Sequence, residues 1–389
     1  MVPTLTSTAP EPIPLRAITL LINYERMISD PRYKGLKLGG TSRGDPQMIT
    51  GVMKIAPRIW DNEPESVKRR TVHIFAPELE NPKSDTVDTA DTTDTTDSKT
   101  PPAACDIHSS ASAGVIALSP AERDLIFHET RAHDGCYNAT GMYQDFFALC
   151  PPGQEISIQV GNETPVSIDV SRRVILEYTL HEPKHNILSL IEHPSTCTSP
   201  ESYTWTSSGA SPSENHCVMA FFPSQHLVPS SGYFKPSSKP SKKLENAMII
   251  DMTRLQYGDA GFGTYGENYF LGSYGDYSES MKGICGELKL KSIVGRTAGR
   301  LNDPDNQARV KTCARRAWER WMEREKEGWC EYCGRGGKEL MMCGACKGRK
   351  VWYCCEEHAK KGWKLHKLTC ESVGEKKVVF GPKRKEDVK

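Results

Sequence analysis

Apolar and polar positions change period several times along this chain, and each change marks an element. Leu15 to Asn23 is apolar almost throughout, which fits a buried strand or a short helix. Thr71-Val-His-Ile-Phe-Ala76 has the β-branched and aromatic content of a strand, and His73 within it reads as a packed histidine rather than a ligand. Ser119-Pro-Ala-Glu-Arg-Asp-Leu-Ile-Phe-His128 places Ser at a helix N-cap, Pro at the first helical position and Glu three residues after the cap. That is a capping-box start. Glu155-Ile-Ser-Ile-Gln-Val160, Pro165 to Val170 and Val174 to Leu180 alternate with a period of two, with Gly161-Asn162 as turn chemistry, and predict an antiparallel meander. Cys217 to Phe222 and Ala247-Met-Ile-Ile-Asp-Met252 read as buried strands. Asp303-Pro304 opens a helix in which Val310, Ala314, Ala317, Trp318 and Trp321 recur at helical spacing.

The pattern lapses in several places. Residues 1–13 are rich in Pro and Thr, and Lys83 to Ala113 carries the run Asp91-Thr-Thr-Asp-Thr-Thr-Asp97 with no aromatic residue. Such segments cannot bury enough surface to offset chain entropy and are expected to be disordered. Ser195 to Glu214 and Pro229 to Lys243 read as further low-complexity interruptions. Between Tyr257 and Tyr277, Gly261-Phe-Gly-Thr-Tyr-Gly266 formally matches a dinucleotide loop. That site needs a strand before it and a helix after it; the surrounding Tyr, Gly and Asp predict an ordered, aromatic-packing loop instead.

Composition narrows the class. The net charge of +1 over 389 residues argues against a nucleic-acid sponge or an acidic tail. The start, Met1-Val-Pro-Thr-Leu-Thr-Ser, lacks a basic segment and apolar core, and no run reaches the roughly 18–20 apolar residues of a membrane span. Half of the 14 cysteines crowd between 330 and 370, and the others are scattered singly. That distribution suits a metal framework in a reducing compartment better than a secreted disulfide scaffold, so an intracellular protein, cytoplasmic or nuclear, is expected. Pro382-Lys-Arg-Lys385 in the charged tail is a short basic cluster compatible with a nuclear signal.

The cysteine cluster carries the chemistry. It runs Cys330-x2-Cys333, Cys343-x2-Cys346, Cys354-x3-His358 and His366-x3-Cys370. Zinc takes four thiolate or imidazole ligands in a closed structural site, so eight candidates fill two ions and leave no position for substrate or water. Residues 354/358 and 366/370 are each four apart, a spacing that shares one face of a helix. Gly334 and Gly344 suit tight turns beside the first two pairs. Cys355 adjoins a ligand but falls out of register and reads as a small thiol rather than a spare ligand.

The order of these ligands resembles the MYND-type zinc finger, with Tyr353 before the fifth ligand and Trp363 between the sixth and seventh in that family's register. The resemblance implies interleaved pairing. Cys330, Cys333, Cys354 and His358 would hold a first zinc, and Cys343, Cys346, His366 and Cys370 a second. His358 departs from the Cys usual at its position, and Cys355 and Ala359 from the family's Ser and Gln, which help line a peptide groove. The resemblance covers only about the last tenth of the chain, and the body is unrecognised.

The fold class expected is α+β, a mixed N-terminal body with disordered insertions plus a small C-terminal zinc-stabilised MYND-like finger. The segments are a disordered N-terminus (1–13), two body segments (14–82 and 114–300) around the Asp/Thr/Ser-rich loop (83–113), an amphipathic helix (303–328), the finger (329–371) and a charged tail (372–389). The tryptophans of the amphipathic helix are expected to dock finger on body. The family implies a protein or peptide partner, Pro-rich segments among them, and no catalytic constellation stands out in the pattern. The leading function is therefore a zinc-binding adaptor or regulatory protein rather than an enzyme. A SET-type lysine methyltransferase is the alternative, because one MYND branch carries that domain and Asn215-His-Cys217 faintly resembles its motif. A nucleic-acid-binding regulator is the third reading, since the finger holds nine Lys/Arg against four Asp/Glu.

Overall fold

In the computed structural model, residues 11–43, 47, 49, 51–52, 63–67, 69–77, 118–192, 203–235, 242–297, 301, 303–346, 348–370 and 380–382 are described. The loop expected at 83–113 and the basic cluster beyond Pro382 lie outside them. The mixed α+β class is observed. The strands of the body are β1 (Ile13–Pro14), β2 (Leu36–Thr41), β3 (Arg69–Pro77), β4 (Glu155–Ile158), β5 (Val166–Asp169), β6 (Arg173–Pro183), β7 (His185–Glu192), β8 (Tyr203–Ser208), β9 (Ser213–Phe221), β10 (Gly232–Tyr233), β11 (Met248–Asp251), β12 (Phe270–Ser273) and β13 (Cys285–Val294). Its helices are α1 (Leu15–Ile28), α2 (Pro120–Ala132), α3 (Cys136–Leu149), α4 (Tyr274–Met281) and α5 (Pro304–Met322).

The apolar run after Pro14 is helix, not strand. Leu15, Ile18, Leu20, Leu21 and Ile22 are all buried because α1 is enclosed by α3, α5 and the short sheet β1-β4-β5. A helix apolar on most sides must be covered on most sides. The start of α2 is as the pattern predicts: Ser119 Oγ accepts from the Glu122 amide and the Glu122 carboxylate accepts from the Ser119 amide, closing the capping box. Asp303 caps α5 through the amides of Asp305 and Asn306.

The expected meander is corrected. β4 and β5 pair antiparallel, but β6 leaves them and lies between β9 and β13 in a six-stranded sheet of order β10-β13-β6-β9-β11-β12. Its residues Val174 to Tyr178 are buried on both faces, so β6 is a central strand with no solvent face to place at the edge of a small sheet. A second correction concerns residues 195–214. Within that supposed interruption, Tyr203-Thr-Trp-Thr-Ser-Ser208 forms β8 and pairs with β7, and its β-branched and aromatic side chains outweigh the Ser content. The Gly261–Gly266 stretch forms turns and opens no helix; β12 and α4 follow it. His73 is packed, as expected. Its Nδ1 is 2.9 Å from Thr41 Oγ1 and its Nε2 3.3 Å from Glu129 Oε2.

Helix α5 lies in the body's main core rather than merely beside it. Trp318 meets Phe146 of α3 edge to face at 5.4 Å, while Trp321, one turn further on, reaches Trp329 at 6.2 Å, at the threshold of the cysteine-rich segment. Phe146 is fully buried, so Phe146→Ala should destabilise the chain by about 3–5 kcal/mol through lost contacts and a residual cavity. A denaturant midpoint measured on both forms checks this.

Candidate metal centre

The cysteine-rich segment folds around β14 (Met341–Cys343), β15 (Trp352–Tyr353), β16 (Phe380–Pro382) and helix α6 (Glu356–His366), with β14 paired to both other strands. Its first turn is closed by the Gly334 amide donating to Cys330 O at 2.8 Å. Gly334 has φ +80°, and a Cβ there would lie 2.2 Å from Leu20 O of α1. Glycine is required twice over, for the left-handed backbone and for the close approach. Gly362 plays a similar part within the finger, since a Cβ there would strike the Tyr353 ring at 2.4 Å.

All eight sequence-predicted metal ligands are brought together, in two quartets. Cys330, Cys333, Cys354 and His358 form one, and Cys343, Cys346, His366 and Cys370 the other, each with ligand atoms within 4.8 Å of one another. In the first, Cys333 and Cys354 sulfurs are 3.7 Å apart and His358 Nδ1 lies 3.1 and 3.7 Å from the Cys354 and Cys330 sulfurs. In the second, Cys346 and Cys370 sulfurs are 3.8 Å apart, and His366 Nε2 is 3.3 and 3.5 Å from Cys343 and Cys346. A tetrahedral zinc with Zn–S bonds of ~2.3 Å has sulfur–sulfur edges of about 3.8 Å. The two clusters therefore fit two zinc ions by donor set and by spacing.

One detail of the expected geometry changes. The ligands four residues apart do not share a helix. His358 and His366 belong to α6, whereas Cys354 precedes it and Cys370 follows it. The helix is 11 residues long, so its two histidines lie near opposite ends and serve different quartets. Cys355, half-buried at the α6 N-cap, belongs to neither quartet. Ala359 is buried in the finger's own core.

The electrostatics favour ligand protonation states. Burial and the neighbouring Arg349 guanidinium push His366 down to about 4, so its ring is neutral, the form that binds metal. Burial alone would raise the Cys330 thiol, but hydrogen bonds with Cys333, Cys354 and His358 hold it well below its ordinary value.

A functional residue that the sequence pattern did not reveal sits in the body. With Nδ1 of His358 facing the sulfurs, its Nε2–H donates to Asp124 of α2 at 3.1 Å, across 234 positions of sequence. Asp124 also accepts from Lys361 Nζ at 2.7 Å and lies 3.5 Å from His128. Burial would raise this carboxyl, yet His128 and His358 keep it well below the carboxylate range, so it is ionised. Carboxylates behind ligating histidines fix the ring and strengthen it as a donor. Around this contact, Asn268 donates to Tyr332 O at 3.2 Å and Arg16 to Glu331 O at 2.9 Å, while Arg320 of α5 reaches both Gly334 O and Glu25.

The arrangement defines a zinc finger seated on a larger α+β body. Residues 330–370 match the model of the MYND finger, so the chain carries a C-terminal MYND finger. Similar curated proteins include Egl nine homolog 1 of Mus musculus, 45% identical over 49 residues (13% of this chain and 11% of that protein), and its Homo sapiens counterpart, 43% identical over the same length. N-lysine methyltransferase SMYD2 of Homo sapiens is 40% identical over 57 residues, 15% of this chain and 12% of that one. The chain thus spans only about a tenth of the length of these relatives, and the matches fall on the finger. No solved structure matches the chain. Among the described residues, no helix is long and apolar enough to cross a membrane.

Asp124→Asn keeps the side chain's size and removes its charge. It should weaken zinc retention at the Cys330–His358 quartet by about 10–100-fold, with the other quartet unchanged, as read by chelator competition on the full chain.

Proposed function

We propose that Cys330, Cys333, Cys354 and His358 hold one structural zinc, and Cys343, Cys346, His366 and Cys370 a second. On this reading the finger, bounded at 329–371, is a rigid surface for a protein partner, and the chain is an adaptor or regulatory protein of the cytoplasm or nucleus. The observation that carries it is the closure of both quartets. Four protein ligands saturate a tetrahedral zinc, so the ions organise the segment and offer no open position for catalysis. MYND fingers are protein-interaction modules, and the partner proposed is a Pro-rich peptide segment. The likeness to a lysine methyltransferase covers the finger alone and supports the shared module, not that protein's chemistry.

Elemental analysis of the purified chain should find two zinc ions. Cys343→Ser should release the second and expose the finger to protease, because structural zinc contributes on the order of 10 kcal/mol of apparent binding energy. Retention of both ions by that variant overturns the ligand assignment. Binding to an array of Pro-rich peptides should be lost in the same variant. Equal binding by both forms removes the finger as the recognition surface.

A further inference from the structure

The two quartets share one donor set, three cysteines and one histidine, so ligand chemistry alone would hold two zinc ions alike. Their surroundings differ. Hydrogen bonds from the body converge on the first: Arg16 donates to Glu331 O at 2.9 Å, Asn268 to Tyr332 O at 3.2 Å, and Arg320 to Gly334 O. Tyr332, Cys333 and Gly334 of that knuckle are buried, with Gly334 pressed on the backbone of α1. The knuckle of the second quartet, Cys343-Gly-Ala-Cys346, turns outward. Gly344 is exposed, and so are residues 348–350 beyond it.

The groups behind the two histidines differ more sharply. The Nε2–H of His358 donates to Asp124 Oδ1 at 3.1 Å, and that buried carboxylate is held in turn by Lys361 Nζ at 2.7 Å and by His128 at 3.5 Å. The Tyr332 ring lies 4.8 Å from the same imidazole. His366 is turned the other way round. Its Nε2 faces the Cys343 and Cys346 sulfurs at 3.3 and 3.5 Å, and its Nδ1 faces Nη2 of Arg349 at 3.4 Å. Coordination through Nε2 leaves the ring proton on Nδ1, and a guanidinium, which has only donors, cannot accept it. Arg349 is exposed and also donates to Thr369 Oγ1 at 3.1 Å.

An acceptor behind a ligating histidine strengthens metal binding by about 10–100-fold. The first ring has one, a carboxylate anchored in the body; the second ring faces a cation at the surface. We propose that the second quartet is an exchangeable zinc site, through which the part of the finger around it opens and closes with zinc supply, while the first quartet stays fixed to the body. The inference rests on the two-zinc reading of the finger and deepens it, since the partner surface is then complete only while the second site is filled.

Local opening accounts for the difference in rate, because its cost depends on what the opening segment touches. Opening at 330–334, or at the start of α6, breaks hydrogen bonds to the body and strands the Asp124 carboxylate among buried groups. Opening at 343–346 moves a turn that already faces solvent. Helix α6 carries its two histidines near opposite ends, so its last turn can fray while its first turn stays pinned.

The test uses the full chain loaded with two zinc ions and mixed with excess pyridylazoresorcinol, a colorimetric chelator, with pulses of N-ethylmaleimide marking the thiols freed at each time. Release should come in two steps of one ion each, at least about tenfold apart in rate. Peptide mapping should find Cys343, Cys346 and Cys370 labelled in the fast step and Cys330, Cys333 and Cys354 in the slow one. Between the steps, amide exchange should rise at 343–346 and 366–370 and stay slow at 330–334 and in α2, and one equivalent of added zinc should reverse the rise. Asp124→Asn should speed the slow step by about tenfold or more and leave the fast step unchanged. Release in a single step, or labelling of Cys330, Cys333 and Cys354 first, overturns the assignment on the unaltered chain, whether or not a variant folds. So does a slow step unchanged in a folded Asp124→Asn chain. Each of those results comes from a chain that holds two ions and leaves the two-zinc reading standing; a purified chain that binds fewer than two removes both.

Discussion

One buried carboxylate holds the two halves of this protein in register. Asp124 leaves a body helix to meet His358 and Lys361 of the finger, and it remains ionised although almost wholly enclosed. A buried anion is tolerable only when its partners stay in place. The finger therefore cannot swing on a free linker without stranding that charge. The remaining contacts follow the same logic: Arg16, Asn268 and Arg320 each donate to a carbonyl of the first zinc knuckle, and Gly334 brings that knuckle against the backbone of α1.

This seating changes how a small zinc domain is stabilised. Some forty residues with few apolar side chains bury too little surface to fold unaided, and metal ligation supplies most of what is missing. Here the body supplies the rest. Helix α5 joins the two contributions, because Trp318 belongs to the body core while Trp321 and Arg320 reach the first residues of the finger. Aromatic packing and hydrogen bonds to knuckle carbonyls make the finger an outgrowth of the body rather than a bead beside it.

The finger was almost fully legible in the sequence because metal ligation imposes spacing that is local and chemically narrow. The capping box at Ser119 and the cap at Asp303 were legible for the same reason, each being complete within four residues. Pairing partners were not legible. Nothing local told β6 to leave β5 for β9 and β13, since that choice depends on both of its faces being covered. Asp124 was out of reach because its partner lies 234 positions away. The buried His216–Asp251 pair was hidden likewise: the two residues come from separate strands, and only the antiparallel pairing of β9 with β11 brings them together. Asn215-His-Cys217 drew notice for its resemblance to another motif, yet its histidine faces an aspartate that no pattern around it announced.

His358 stands where the finger's relatives by resemblance usually have cysteine, and the exchange has a structural consequence. A thiolate has no N–H to donate, so Cys at 358 would leave the buried Asp124 carboxylate with one partner fewer. Only Lys361 would then tie that carboxylate to the finger, so the ring of His358 makes one residue serve at once the metal cluster and the seam between finger and body.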